Sequence, residues 1–191
     1  MRNLFVLLSL LFLPAFSIYA KNPVGIEPVK LYADYDGFRA NNYVDSFGIG
    51  STNRVREAYW WLTVTKGGQK QRYKNGTLWG YANGDTLHRY YDEHTTLGAY
   101  GYYRVIDTSG LVVYTKEERG GYRMSGTAVS YYYSKGLNAP LRRLRLNNLQ
   151  ADFPNQSFAQ QIAGLKNLGE KDKDGRLKVN VIYQSVFRQR I

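Results

Sequence analysis

His88, Tyr90, Asp92 and His94 are the first residues whose types and spacing suggest chemistry. If Leu87 to Thr95 is extended, side chains alternate and all four fall on one face. Histidine and aspartate both ligate zinc. The run Asp92-Glu93-His94-Thr95-Thr96, however, reads more naturally as a loop, and a loop breaks that alignment. Glu170-Lys171-Asp172-Lys173-Asp174-Gly175 invites a calcium reading. Counted from Glu170, the third, fifth and sixth positions suit a calcium loop, but the twelfth is Val181, where a bidentate glutamate is required. The segment reads instead as a charged surface turn. No metal or other cofactor is expected.

Nucleophile patterns are missing as well. The chain has no cysteine, no Gly-x-Ser-x-Gly and no histidine spaced to activate a serine. Gly98-Ala99-Tyr100-Gly101 precedes an apparent strand and not a helix, so it is no phosphate cradle. Glu57, Asp85, Asp92, Glu93, Glu117 and Glu118 could converge as a glycosidase pair, yet the sequence favours no two of them. Enzymatic activity is not the expected reading; a secreted glycan hydrolase is its alternative.

Charge and aromatic rings are the richer signals. Arg142, Arg143 and Arg145, with Lys135 nearby, form the densest basic cluster. If Leu144 and Leu146 face inward on a strand, Arg143 and Arg145 share the solvent face. An ordinary solvated surface and an anion-binding patch both fit that arrangement. The 18 tyrosines run in pairs such as Tyr90-Tyr91 and Tyr102-Tyr103, with a triplet at Tyr131-Tyr132-Tyr133. On a strand each pair puts one ring inside and one outside. Exposed rings beside Arg and Lys suit stacking on sugars, whereas buried ones are simply good strand residues. Trp79 and Tyr81 complete the candidate binding set, one of them facing the core.

Several short motifs resemble a group of exported proteins from Gram-negative bacteria. Leu31-Tyr32 followed by Asp36-Gly37-Phe38 and Asn41-Asn42 resembles the opening of that group, an aromatic strand leading into a short helical turn. Trp79-Gly80-Tyr81-Ala82-Asn83-Gly84-Asp85 resembles its central Trp-Gly-aromatic-x-Asp/Asn-Gly hairpin, with Asn83 where Asp is commoner. Leu144 to Phe153 and the helix after it resemble its C-terminal end. The resemblance implies export and a β-rich fold, and it carries no activity.

The elements that must position these residues read as follows. Ala58 to Val64 is a strand ending at Gly67-Gly68, Thr77 to Ala82 a short strand, and Leu87 to Tyr91 its continuation. Tyr100–Asp107, Leu111–Lys116 and Thr127–Tyr133 follow, with turns at Ser109-Gly110 and Gly120-Gly121. Asn75-Gly76 and Asn83-Gly84 suit type I′ hairpins. Phe158, Ile162 and Leu165 recur at helical spacing behind Asn155 or Ser157, with Gly169 at the far cap. Val179 to Arg190 satisfies both periods, and its β-branched content favours a strand. The expected class is α+β and β-dominated: an antiparallel meander or partly closed sheet with one or two C-terminal helices.

Ahead of this domain stands Arg2, then an apolar run from Leu4 to Leu13, then Pro14 and small residues. Ten residues are too few to span a bilayer, so residues 1–20 read as a signal peptide cut near Ser17 or Ala20, and 21–191 as one β-rich domain with an extended lead-in from Lys21 to Pro28. No later stretch suits a transmembrane anchor, and without cysteine neither lipid anchoring nor disulfides apply. A formal net charge of +11 draws such a chain towards anionic surfaces. Export makes nucleic acid an unlikely partner. The expected function is a periplasmic or secreted binding or structural domain for an envelope polysaccharide, an anionic lipid or another exported protein. A small outer-membrane β-barrel is a further alternative. Protein recovered from the envelope or medium should begin at Lys21 or Ile18 on N-terminal sequencing; an intact Met1 would refute export.

Overall fold

The computed structural model describes residues 28–58, 60–92, 101–119 and 127–188. Strand β1 (Val29–Tyr32) runs into the helical turn α1 (Tyr35–Arg39), and β2 (Asp45–Phe47) returns beside β1. Asp34 caps α1 by accepting the Gly37 amide at 2.7 Å. Next come β3 (Arg54–Glu57), β4 (Trp61–Lys66) and β5 (Gln69–Lys74), which form a three-stranded antiparallel sheet of their own. The chain then re-enters the first sheet through β6 (Gly80–Asn83), β7 (Thr86–Tyr91), β8 (Gly101–Asp107), β9 (Val112–Arg119), β10 (Thr127–Ser134) and the short β11 (Arg142–Arg143). That sheet has eight strands in the order β11-β10-β9-β8-β7-β6-β1-β2. Its outer strands pair with nothing further among the described residues, so it stays open. Helices α2 (Leu146–Asp152), α3 (Gln156–Ala163) and α4 (Lys178–Phe187) close the described chain.

The β-dominated α+β class is therefore the observed one, with three C-terminal helices where the sequence suggests one or two. Among the described residues no helix is long and apolar enough to cross a membrane. Register explains how the layers stack. Leu31, Tyr81, His88, Arg104, Thr115 and Tyr131 are successive cross-strand partners and so share one face. At one end of this face Val29, Leu31, Tyr81 and Tyr102 pack against Leu62 and Val64 of the small sheet. At the other end Val113 and Tyr133 pack against Leu149, Phe158, Ile162 and Val179 of the helices. The opposite face buries Tyr103, Tyr114 and Tyr132 beneath Leu141, with Leu137 packed against them.

Because both faces are covered there, the tyrosine pairs behave differently from expectation. Tyr102 and Tyr103 are both buried, and so are Tyr132 and Tyr133. One member of each pair lies on each face, and neither reaches solvent. Their rings meet edge to face across strands, as in Tyr103–Tyr132 at 4.9 Å between centroids.

Several local readings are corrected. Asn75-Gly76 is not a hairpin turn: it carries the chain from the small sheet to the large one, and residues 77–79 lead into β6 as a bend. Between β6 and β7 only Gly84 has positive φ (61°), the signature of a type II′ turn with Gly84-Asp85 at its centre. The type I′ hairpin sits instead at Gly67 (φ 57°) and Gly68 (φ 81°), joining β4 to β5, a strand that the sequence reading passed over. Leu146 begins a helix and does not extend a strand. Asn155 caps α3 as expected, accepting the Phe158 amide at 3.0 Å, but the helix stops at Ala163 with Gly164 as its cap, well before Gly169. Gly120-Gly121 lie outside the described residues, as do Lys21 to Glu27.

Val179 to Phe187 is helical, against the lean of its β-branched residues. Packing decides it: as a helix, Val179, Ile182, Tyr183, Val186 and Phe187 all meet the same core, whereas alternation would throw half of them into solvent. Asn180 fixes the docking. It is fully buried, its Oδ1 accepts the Leu111 amide and its Nδ2 donates to the Leu111 carbonyl, both at 2.9 Å.

Gly80 has a comparable structural reason. A Cβ at this position would stand 2.5 Å from the His88 carbonyl oxygen on the paired strand. Backbone must move to admit it, so Gly80→Ala should cost about 1–3 kcal/mol. Urea unfolding monitored by circular dichroism checks this. An unchanged midpoint would show that β6 and β7 can separate freely.

Candidate functional site

The small sheet has two chemically opposite faces, and strand alternation makes them so. On the inner face Val55, Leu62, Val64 and Tyr73 lie in the core. On the outer face β3 presents Arg54 and Arg56, β4 presents Trp61, Thr63 and Thr65, and β5 presents Lys70, Arg72 and Lys74. Register sets them in rows: Arg54, Thr65 and Lys70 are cross-strand neighbours, as are Arg56, Thr63 and Arg72, while Trp61 pairs with Lys74. Arg54 and Arg56 wall one side of a trough of about 290 Å³, Lys70 and Arg72 wall the other, and Trp61, Thr63 and Thr65 line it. Backbone spacing puts the two walls ~9.5 Å apart and successive cations of one wall ~6.7 Å apart.

Charge pairing separates the two faces just as sharply. Inner-face Lys66 reaches the large sheet and bonds Asp45 of β2 at 2.8 Å. At the other end Glu57, also inward, accepts the Tyr81 hydroxyl at 2.6 Å and meets His88 Nδ1 at 3.3 Å. Burial, together with the nearby Glu57 charge, pushes the Tyr81 phenol far above its ordinary range. It therefore stays protonated and donates. Its ring stacks on the His88 ring at 4.5 Å. Among the described residues, none of the five outer cations has a carboxylate within salt-bridge distance. Five neighbouring positive charges on one face repel one another, and their shared potential attracts an anion with several charges. Trp61, with 41% of its surface exposed, adds a flat ring to that field.

The residues picked out from sequence are distributed differently. Arg142 and Arg143 are the two residues of β11 and point to opposite faces; Arg145 stands just before α2. Arg142 forms an ion pair with Asp152, which also accepts the Tyr133 hydroxyl at 2.6 Å. Burial raises the Asp152 pKa, but the Tyr133 hydrogen bond and the Arg142 charge outweigh it and leave the carboxyl below its ordinary value. Arg143 donates to Ser130 Oγ at 3.1 Å. Of these three arginines, Arg145 is exposed and its side chain makes no hydrogen bond or ion pair among the described residues. Tyr81 is buried, and Trp79 is half-buried against Tyr35 and Phe38. The five candidates do not form one surface.

The remaining candidates resolve in the same way. His88 is turned to Glu57 and Tyr81, and His94 lies outside the described residues. Among the described residues no three His, Cys, Asp or Glu side chains gather as a metal site. In the acidic segment after α3, Asp172 accepts the amides of Asp174 and Arg176 at 2.9 Å each, and Glu170 pairs with Lys178. The Lys178 hydrogen bond is the main reason that the Glu170 carboxyl titrates low. Asp85 sits on the β6–β7 turn and Glu117 near the far end of β9, while Glu93 lies outside the described residues.

Sequence reasoning missed the outer face because its charges come from two segments separated by an apolar strand. A usable signal was present: Arg54-x-Arg56 and Lys70-x-Arg72-x-Lys74 alternate at the strand period, on either side of a Gly-Gly turn.

The Arg142 tie has a pH signature. A folded pKa below the unfolded value of about 3.9 means stability that is complete above that value and lost as pH falls through the folded one. Arg142→Ala should therefore cost about 1 kcal/mol at pH 7, against less than about 0.5 for Arg145→Ala. The gap should narrow once Asp152 is protonated. Chemical denaturation of both variants from pH 7 down to pH 2.5 measures it, and equal effects at pH 7 would remove Arg142 from the fold's support. Comparison with known protein families, curated proteins and solved structures finds no match to this chain.

Proposed function

We propose that this is an exported binding protein for anionic polymers of the cell envelope, and that its binding surface is the outer face of β3–β5. The observation that carries the reading is the five-cation face around Trp61, uncompensated by any acidic side chain among the described residues. Each charge on the inner face of the same sheet that meets an acid or base does so in a defined bond, so the outer excess is not a general property of the sheet. The order of charge, apolar run and small residues at the N-terminus supports export. The high net charge supports a polyanionic partner. Rigid β-strands hold the cations in fixed rows, which lowers the entropy lost when a multivalent anion docks.

Inorganic polyphosphate tests the charge-based part of this reading. Calorimetry should detect binding at 0.1 M salt, where screening extends over about 10 Å, and a large loss near 1 M, where it falls to about 3 Å. An Arg56→Glu and Arg72→Glu double variant should weaken binding by about tenfold or more. A Lys171→Glu and Lys173→Glu variant, with the same change in net charge on the remote turn after α3, should bind nearly as wild type. Equal losses in both variants would mean that net charge alone acts. No binding by wild type at low salt would overturn the proposal.

A further inference from the structure

The shape and lining of the trough narrow the class of anion. We infer that the ligand is a single acidic polysaccharide chain that lies along β4, between the cation rows of β3 and β5, with one sugar ring stacked on Trp61. The inference rests on the proposed polyanion-binding role of this face and specifies its occupant.

Three observations carry it. The cations stand on the walls and not on the floor, so an anionic chain between them is met from both sides along its length. The floor is made by β4, whose Thr63 and Thr65 bring hydroxyls and no charge. A chain bearing both acidic groups and hydroxyls is satisfied there at the walls and at the floor together. Trp61 stands on the same strand, two residues before Thr63, lines the trough and is 41% exposed. An indole face suits the apolar face of a sugar ring, and cations beside it suit the carboxylate of a uronic acid. A lipid headgroup layer presents a plane instead. It would touch the ends of the wall side chains and leave the hydroxyl floor unused.

The strand direction gives the inference a length scale. From Lys70 to Lys74 is four residue steps, ~13 Å of strand. Affinity should rise with oligomer length until the chain spans that row and then level off.

Oligogalacturonates of defined length are the probe, set beside polyphosphate and phosphatidylglycerol vesicles, with binding read by calorimetry at 0.1 M salt. Wild type should bind oligogalacturonate, with the length plateau, more tightly than vesicles. Trp61→Ala should weaken oligogalacturonate binding by about tenfold while leaving polyphosphate, which has no ring to stack, within about twofold. Trp61→Phe keeps a ring and should recover most of the loss, which separates stacking from damage to the sheet. If Trp61→Ala weakens both ligands equally, or neither, the glycan inference fails while the polyanion reading stands. Preference for vesicles would likewise replace the glycan with a membrane surface. If wild type binds neither polyphosphate nor oligogalacturonate, the underlying reading fails with it.

Discussion

Leu62 and Val64 lie beneath the small sheet with 0% and 2% of their surface exposed, and their burial decides which way every other residue of that sheet points. Side chains alternate along a strand, so seating these two on Val29, Leu31 and Tyr81 forces Trp61, Thr63 and Thr65 outward. The ladder then transmits the choice to both neighbours. A one-residue slip of β4 would turn Leu62 and Val64 out to solvent and Trp61, Thr63 and Thr65 inward, which forfeits the buried apolar contact. The basic face is thus a by-product of an apolar contact on the other side of one layer of backbone. Fully burying aliphatic side chains contributes about 1.5–3 kcal/mol each, far more than the outer charges can oppose through water.

Polar contacts then refine what burial has set. Lys66–Asp45 at one end of β4 and Glu57 with Tyr81 and His88 at the other hold the small sheet against rotation on the large one. A related division of labour marks the far end of the large sheet. There Arg142 is committed to Asp152, which also accepts the Tyr133 hydroxyl, so a cation prominent in the sequence serves the fold. Local density of basic residues is a poor guide to basic surface; what matters is whether an acid stands within reach across the fold.

The parts of the fold legible in sequence were those governed by local rules. Strands with β-branched and aromatic runs, the Asn155 cap and the strand end at Gly67-Gly68 are properties of a few adjacent residues. Asn75-Gly76 misled because the same dipeptide serves a hairpin or a crossover, and only the destination of the next strand distinguishes them. The tyrosine pairs misled because alternation tells which face a ring is on, not whether that face is covered. For the candidate site, the ingredients were visible and the assembly was not. Arg56 and Arg72 are 16 positions apart in sequence and become partners across Thr63 only through the register of three strands.

Asn180 carries a consequence for the order in which the molecule can be assembled. Its amide meets both backbone groups of Leu111, 69 residues earlier, and so completes at Leu111 what a neighbouring strand would otherwise supply. Contacts of such separation form late, because the intervening loop must be closed before they repay its entropy. Until α4 arrives, Val113 and Tyr133 have lost part of their cover and the Leu111 amide is unmatched. A chain emerging from its N-terminus therefore spends time with a complete basic face and an unfinished apolar one. In that interval its unfinished apolar surface and its basic outer face are open together, and whatever apolar or anionic surface is near meets a half-built molecule.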